Sequence, residues 1–335
     1  MIDASKSVDV VALGAAIVDI LARVDDPFLQ EHDVAKGGMT LVESGRAEAI
    51  YRQMENPREV SGGSAANTIA GLSALGGAAA FVGKIKEDAL GKVFRDDIKR
   101  IGVRFDTPPF GDAAPGATAR CMVLVTPDAQ RSMLTDLGVS GLLTVSDLPD
   151  ATIRDAKVLY LEGYLWDNVE TKRAFAAAAE QAKAAGGAVA LTLSDSFCVD
   201  RHRDSFKELV AGQVDILFAN EAEILSLYET EDFDAAMAEA ARNAPIAVVT
   251  RSEKGCVVAE GDARHEAPAA PIKELVDTTG AGDLFAAGFL YGLVRGRPLA
   301  DCARMGCLSA SEVIQHLGAR PQMDLKALFE KNGLL

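Results

Sequence analysis

Short apolar runs alternate with alanine-rich amphipathic stretches along most of this chain, and that alternation constrains the fold more than any other feature. The runs at 8–13, 79–82, 158–161, 188–193, 216–218 and 246–249 read as strands, being short and almost continuously apolar. Between them, 65–75, 88–101, 169–184, 200–210, 221–228 and 233–243 carry the 3.6-residue apolar repeat of helices. Strands apolar on both faces need cover on both faces, and strands separated by helices run parallel. The fold class is therefore α/β, a doubly wound, mostly parallel sheet covered by helices.

Two regions break the rhythm. From 17 to 42 and from 103 to 135 no helical repeat intervenes; residues 117–125 alternate, and Asp128-Ala129-Gln130 offers a turn. A small β-sheet lid at about 17–42 and 103–135 is expected, on an α/β core at about 1–16, 43–102 and 136–335 of one unit spanning 1–335. The carboxyl ends of the core strands, where open α/β sheets bind ligands, are the place such a lid would cover.

The net charge of −15 disfavours nucleic acid or an anionic membrane as partner, since both demand a basic surface. Residues 1–6 are polar and the apolar run after them is broken by Asp9, Asp19 and Arg23. No leader or membrane span is expected, and a cytoplasmic location is. The five cysteines are scattered, with no Cys-x-x-Cys pair, and read as reduced thiols. A phosphorylated ligand would need locally placed positive groups or Mg²⁺.

Asp277-Thr278-Thr279-Gly280-Ala281-Gly282-Asp283 reads as a glycine turn opening onto a helix with a carboxylate in its first turn. The unpaired N–H groups of such a start suit a phosphate. A carboxylate beside phosphate makes chemical sense as the acceptor of a hydroxyl proton. The plain alternative is a connecting turn followed by a favourably placed aspartate. A P-loop is excluded, because Gly83-Lys84 and Gly91-Lys92 are each followed by an aliphatic residue. The dinucleotide fingerprint is excluded too, because Phe285 stands at its third glycine.

Two further runs join a turn to a helix start. Asn220 and Glu223 share one face of a first helical turn, either to organise a hydrated Mg²⁺ or simply to cap the helix. Ser61-Gly62-Gly63-Ser64-Ala65-Ala66-Asn67 lets a substrate approach the backbone, and Asn67 and Asp19 offer partners for vicinal hydroxyls.

Taken in order, the 62–67 run through Gly83, the Asn220 to Glu223 element and the 277–283 turn are similar to three signatures of the ribokinase-like, or PfkB, family of carbohydrate and nucleoside kinases. The resemblance extends over essentially the whole chain. Within that family, residues 24–29, 130–134, 161–164, 191–194 and 214–221 resemble the adenosine kinase branch.

The resemblance implies ATP as phosphoryl donor, Mg²⁺, and transfer to a primary hydroxyl of a nucleoside or sugar, adenosine first. The alternatives are a sugar kinase of the same family, acting on ribose, fructose or 2-keto-3-deoxygluconate, and a nucleoside-binding sensor without turnover. It implies Asp283 as the base, with Gly280, Ala281 and Gly282 lending N–H groups to the transferring phosphoryl. Asp19, Gly62, Gly63 and Asn67 would bind the sugar, Met133 and Tyr164 would flank a purine, and Arg131 would face the phosphoryl group. On the ATP side it implies Asn220, Thr250, Ser252, Gly255 and Thr278 with Gly280 and Gly282, and on the metal side Asn220 and Glu223 acting through water. A monomer or a homodimer is compatible with this reading.

The chain departs from the pattern twice. Ala15 stands where the adenosine kinase branch has asparagine, and Ser252 where the family commonly has glycine. The sequence near Asp19 and Asn67 also supplies no arginine for an acidic sugar.

Overall fold

The computed structural model describes residues 5–111, 116–128 and 130–335. The turn expected at 128–130 therefore has its middle residue, Ala129, outside the described residues, as are 1–4 and 112–115.

Thirteen strands form among the described residues: β1 Val8–Leu13, β2 Ile17–Arg23, β3 Met39–Leu41, β4 Arg58–Gly62, β5 Ala79–Val82, β6 Ala119–Val125, β7 Arg131–Asp136, β8 Ala156–Glu162, β9 Ala188–Thr192, β10 Ile216–Asn220, β11 Ile246–Thr250, β12 Cys256–Glu260 and β13 Ala263–Ala267. Eight build the main sheet in the order β13-β12-β11-β10-β9-β8-β1-β5. From β11 to β5 every pairing is parallel, while β12 and β13 extend the edge as an antiparallel hairpin. The parallel strands are those the apolar runs predict, and buried helices cover both faces, as expected for strands with no polar face.

The other five strands form a smaller sheet, β3-β7-β6-β2-β4. It reaches further than the expected lid boundaries, because β4 lies within the 43–102 stretch that the sequence assigns to the core. Arg-Glu-Val-Ser-Gly is too polar to read as a strand, and becomes one by pairing antiparallel with β2. The stretch expected to be free of helix also holds a short one, Asp26–Glu31, capped by the Asp25 carboxylate, which accepts from Phe28 N. A further helix, Ser44–Tyr51, is tied to the small sheet by Ser44 Oγ donating to Asp136 at 3.0 Å and Arg120 donating to Glu48 at 2.6 Å.

The helices Ser64–Ala74 and Ala281–Leu293 start at the same end of the main sheet and pack against one another. Gly71 permits the approach: a Cβ there would lie 2.7 Å from Leu284 Cδ1 and 2.8 Å from Ala287 Cβ. The second of these helices is buried continuously from Leu284 to Gly292. It is a central pillar rather than a surface helix, and only its first turn opens toward solvent.

Candidate active site

The close packing of those two helices brings their first turns together. Ser64 Oγ donates to Asp283 Oδ1 at 2.7 Å and Asn67 Nδ2 donates to Asp283 Oδ2 at 3.0 Å. Burial pushes the Asp283 carboxyl from 3.8 up to about 6, against the opposing pull of Ser64, Asn67 and the Arg320 charge. A carboxylate so placed is ionised at neutral pH yet more basic than an exposed one. Asn67 is buried, and its Oδ1 has no partner. That leaves an acceptor available beside the carboxylate for a ligand hydroxyl.

Gly280 caps the Asp283 helix with φ +79°, and a Cβ there would meet Ala319 Cβ at 2.6 Å. A Cβ on Gly282, in contrast, would meet nothing within 4 Å. Its N–H and that of Asp283 belong to the helix start that faces this space and has no intrahelical acceptor. The Ala281 N–H, which the resemblance offers to the phosphoryl group, donates to Thr278 O at 3.2 Å. Thr278 itself is exposed at the rim.

Asp277, buried just before this turn, receives Thr279 N and Gly318 N, each at 2.8 Å. It also receives Arg131, which donates to Thr279 Oγ1 as well. Arg131 projects from β7, so the smaller sheet reaches over the 277–283 turn of the core. Its face toward the site follows from register. Asp19 on β2 stands opposite Cys121 on β6 and Cys121 opposite Thr135, while Leu21 stands opposite Val123 and Val123 opposite Met133 on β7. Asp19 senses the charges of Arg320, Asp283 and Arg131, and burial pushes it up to about 6. The Asp19 carboxylate lies where a side chain on Gly62 would be, 2.2 Å from an ideal Cβ. Gly63, at φ +95°, caps the Ser64 helix with its own Cβ direction filled by Ala15 O. Tyr164, partly exposed after β8, is held at its N–H by Ser194 Oγ at 3.2 Å.

On the other side of the turn, β10 and β11 pair so that Asn220 lies beside Thr250. Asn220 Oδ1 accepts from Glu223 N at 2.9 Å, while the buried Glu223 carboxylate accepts from Asn220 N at 3.0 Å and from Asn220 Nδ2 at 2.6 Å. The pair is a reciprocal capping box. Both Glu223 oxygens are taken by Asn220, and among the described residues no group of three or more His, Cys, Asp or Glu could hold a metal. These residues therefore do not fit direct ligation of Mg²⁺; what they leave open is contact through water. Ser252 takes φ +50°, which explains physically why glycine suits that position, and Gly255 at φ +86° sits against Ala267 O. Arg251 fixes this loop by donating to Glu221 at 2.6 Å.

Three residues escaped the sequence reading. Ser64 stood inside a recognised run yet was given no role. Glu162 is fully buried and accepts from Ala15 N at 3.2 Å and Ala65 N at 2.8 Å, joining the end of β1 to the Ser64 helix. Burial pushes it up to about 7. Arg320 is the third: it donates to Ala66 O at 3.0 Å and to Ser61 O at 2.5 Å. The fold thus places an arginine beside Asp19 and Asn67 where local sequence shows none, although Nη1 and Nη2 are engaged by Ala66 O, Ser61 O and Ser61 Oγ. Ala15 is buried in the core and presents only its backbone to this region.

A mixed α/β sheet with a second, smaller sheet over a carboxylate at a helix start defines the ribokinase-like class of folds. The family model of the pfkB family carbohydrate kinases matches residues 38–326, and the chain belongs to that family. Over 97% of its length it is similar, with 48% identity and a TM-score of 0.89, to the crystal structure of an adenosine kinase from Sinorhizobium meliloti, 99% of which is covered. A probable sugar kinase from Rhizobium etli CFN 42 is as similar, with 47% identity, a TM-score of 0.90, and 98% and 100% of the two chains covered. Adenosine kinase 2 of Arabidopsis thaliana is 28% identical over 331 residues, 91% of this chain and 93% of its own. These relationships support a phosphotransferase that acts on an alcohol group of a nucleoside or sugar.

Proposed function

We propose that the protein transfers the terminal phosphoryl group of ATP to the primary hydroxyl of a nucleoside, with adenosine as the acceptor, forming AMP and ADP. The observation that carries this reading is the Asp283 carboxylate, gripped by Ser64 and Asn67 at a helix start and faced by the half-buried Leu21 and Met133, which flank the buried Val123 in a strip on the smaller sheet. A free sugar has no large apolar face to set against such a strip, whereas a nucleoside base does. Tyr164 adds a partly exposed ring on which a base can stack.

In this mechanism Asp283 takes the proton of the acceptor hydroxyl as that oxygen attacks the γ-phosphorus. The bond from that phosphorus to the bridging oxygen breaks, and ADP leaves with the electron pair. The N–H groups of Gly282 and Asp283, at the positive end of the helix, stabilise the charge on the group in flight. Asn67 and Asp19 hold the sugar hydroxyls. Arg131, released from Asp277 or shared with it, brings positive charge to the same end of the site. Mg²⁺, when bound with ATP, supplies charge neutralisation on the phosphates, and Asn220 and Glu223 would meet it only through water. The smaller sheet acts as the lid that excludes water during transfer.

A coupled ADP-release assay comparing adenosine, inosine, guanosine, ribose, fructose and 2-keto-3-deoxygluconate tests the reading. Saturable turnover with adenosine at micromolar concentration is the expected result. Turnover with free sugars alone would make it a sugar kinase, and adenosine binding without ADP release would make it a sensor.

A further inference from the structure

Arg320 lies on the segment after the helix Leu299–Val313, a segment fixed at several points. Gly318 N donates to Asp277, and the buried Glu312 Oε1 accepts from Gln322 N and Met323 N, each at 2.9 Å, and from His316 Nε2 at 3.0 Å. From this base the guanidinium reaches back more than 250 residues in sequence, with Nη1 to Ala66 O and Nη2 to both Ser61 O and Ser61 Oγ. The Ser61 hydroxyl in turn donates to Asp97 Oδ2 at 2.6 Å, and Ser61 N to the same oxygen at 3.0 Å. One planar group thus holds both ends of the turn that carries Gly62, Gly63 and Ser64. That turn aims Ser64 and Asn67 at Asp283.

We propose that Arg320 is a positioning residue of the acceptor side: it locks the Ser61 to Ala66 turn that aims Ser64 and Asn67 at Asp283, and it sets a fixed positive charge on the side of the site that holds Asp19 and Asp283. The inference rests on the kinase reading for its kinetic consequences only. The charged groups facing this region are Asp19 from β2, Asp97 from the helix Ala89–Arg100, Asp283, Arg131 from β7 and Glu162 from β8. Cys121, Tyr160 and Tyr164 are the neutral titratable neighbours. Burial raises both Asp19 and Asp283, and the Asp283 charge raises Asp19 further; for Asp19 the strongest opposing influence is Arg320. Without the guanidinium, two buried carboxylates would confront each other with less to balance them.

The test uses the full chain labelled with aspartate carrying ¹³C at the carboxyl, as wild type, Arg320→Gln and Arg320→Lys, with signals assigned through Asp19→Asn and Asp283→Asn. In Arg320→Gln the carboxyl titration midpoint of Asp19 is expected to rise by about one pH unit and that of Asp283 by less. In Arg320→Lys the midpoints stay near wild type. The acceptor KM nevertheless rises about tenfold with kcat little changed, since an ammonium cannot hold two carbonyls in a fixed fork. Unmoved midpoints in a folded Arg320→Gln protein would overturn the proposal. If that variant does not fold, wild-type acceptor KM in Arg320→Lys overturns it instead. Should the wild type turn over none of the acceptors, the kinase reading fails alone, and the ¹³C midpoints still decide the role of Arg320.

Discussion

Replacing Asp283 by asparagine is expected to lower activity and raise stability at neutral pH. The carboxylate accepts from Ser64 Oγ at 2.7 Å and Asn67 Nδ2 at 3.0 Å, and is raised from 3.8 to about 6, burial being the largest cause. An amide of the same shape keeps the packing but cannot take up a hydroxyl proton. Loss of a positioned base lowers kcat by roughly 10²- to 10⁴-fold, or ~3–5 kcal/mol in the barrier. For stability, the folded pKa lies above the unfolded one, so the native state binds more protons between about pH 4 and about pH 6. The stabilising contribution of this group is therefore complete below that window and lost as pH rises through it. A shift of about two units caps the loss at ~3 kcal/mol by pH 7. Asparagine escapes this loss but turns a donor toward Asn67 Nδ2. Asn67 can compensate, because its buried Oδ1 has no partner and rotating the amide presents that oxygen instead. Allowing ~1 kcal/mol for an imperfect hydrogen bond, the variant gains ~1–2 kcal/mol at pH 7, and the gain vanishes below about pH 4. Coupled ADP release measures the first effect, and urea unfolding at pH 4 and pH 7 the second. Turnover within threefold of wild type, or a stability gain that is larger at pH 4 than at pH 7, refutes the reasoning.

The raised Asp283 carboxylate sets a pH profile: kcat/KM for the acceptor should rise with pH through about 6, where Asp283 ionises, and be about tenfold lower at pH 5 than at pH 7. A flat profile from pH 5 to pH 8 contradicts this. Gly280→Ala should cost roughly 2–4 kcal/mol in urea unfolding, since φ is +79° and the new methyl would lie 2.8 Å from the Ala319 backbone. Gly282→Ala, whose methyl meets nothing within 4 Å, should change stability by less than ~0.5 kcal/mol while lowering kcat, because it fills the space proposed for the phosphoryl group. Glu223→Ala removes half of the capping box, and should cost ~1–2 kcal/mol in unfolding and raise the ATP KM while leaving the acceptor KM unchanged.

Much of this fold was legible because it is local. The helix Glu221–Tyr228 carries its own cap in Asn220 and Glu223, and the parallel strands carry enough continuous apolar residues to demand two covered faces. Strands without that mark were missed. β4 is polar and exists through its pairing with β2, and β13 forms an exposed edge whose residues do not resemble a buried strand. The site divides in the same way. Asp283, Gly280, Gly63 and Asn67 announced themselves because each belongs to a turn feeding a helix, where backbone geometry dictates residue type within a few positions.

By itself, then, the sequence determined the layered α/β core, the two glycine turns and the carboxylate at the start of a buried helix, since periodicity and turn chemistry act over short distances. Only the tertiary structure decided that Arg131 reaches Asp277 from the smaller sheet. It alone brought Arg320 onto the Ser61 to Ala66 turn. The physical reason is common to both arginines. A hydrogen-bonding group pairs with whatever donor or acceptor packing sets beside it, and where packing brings together residues far apart in the chain, no local pattern records the partner.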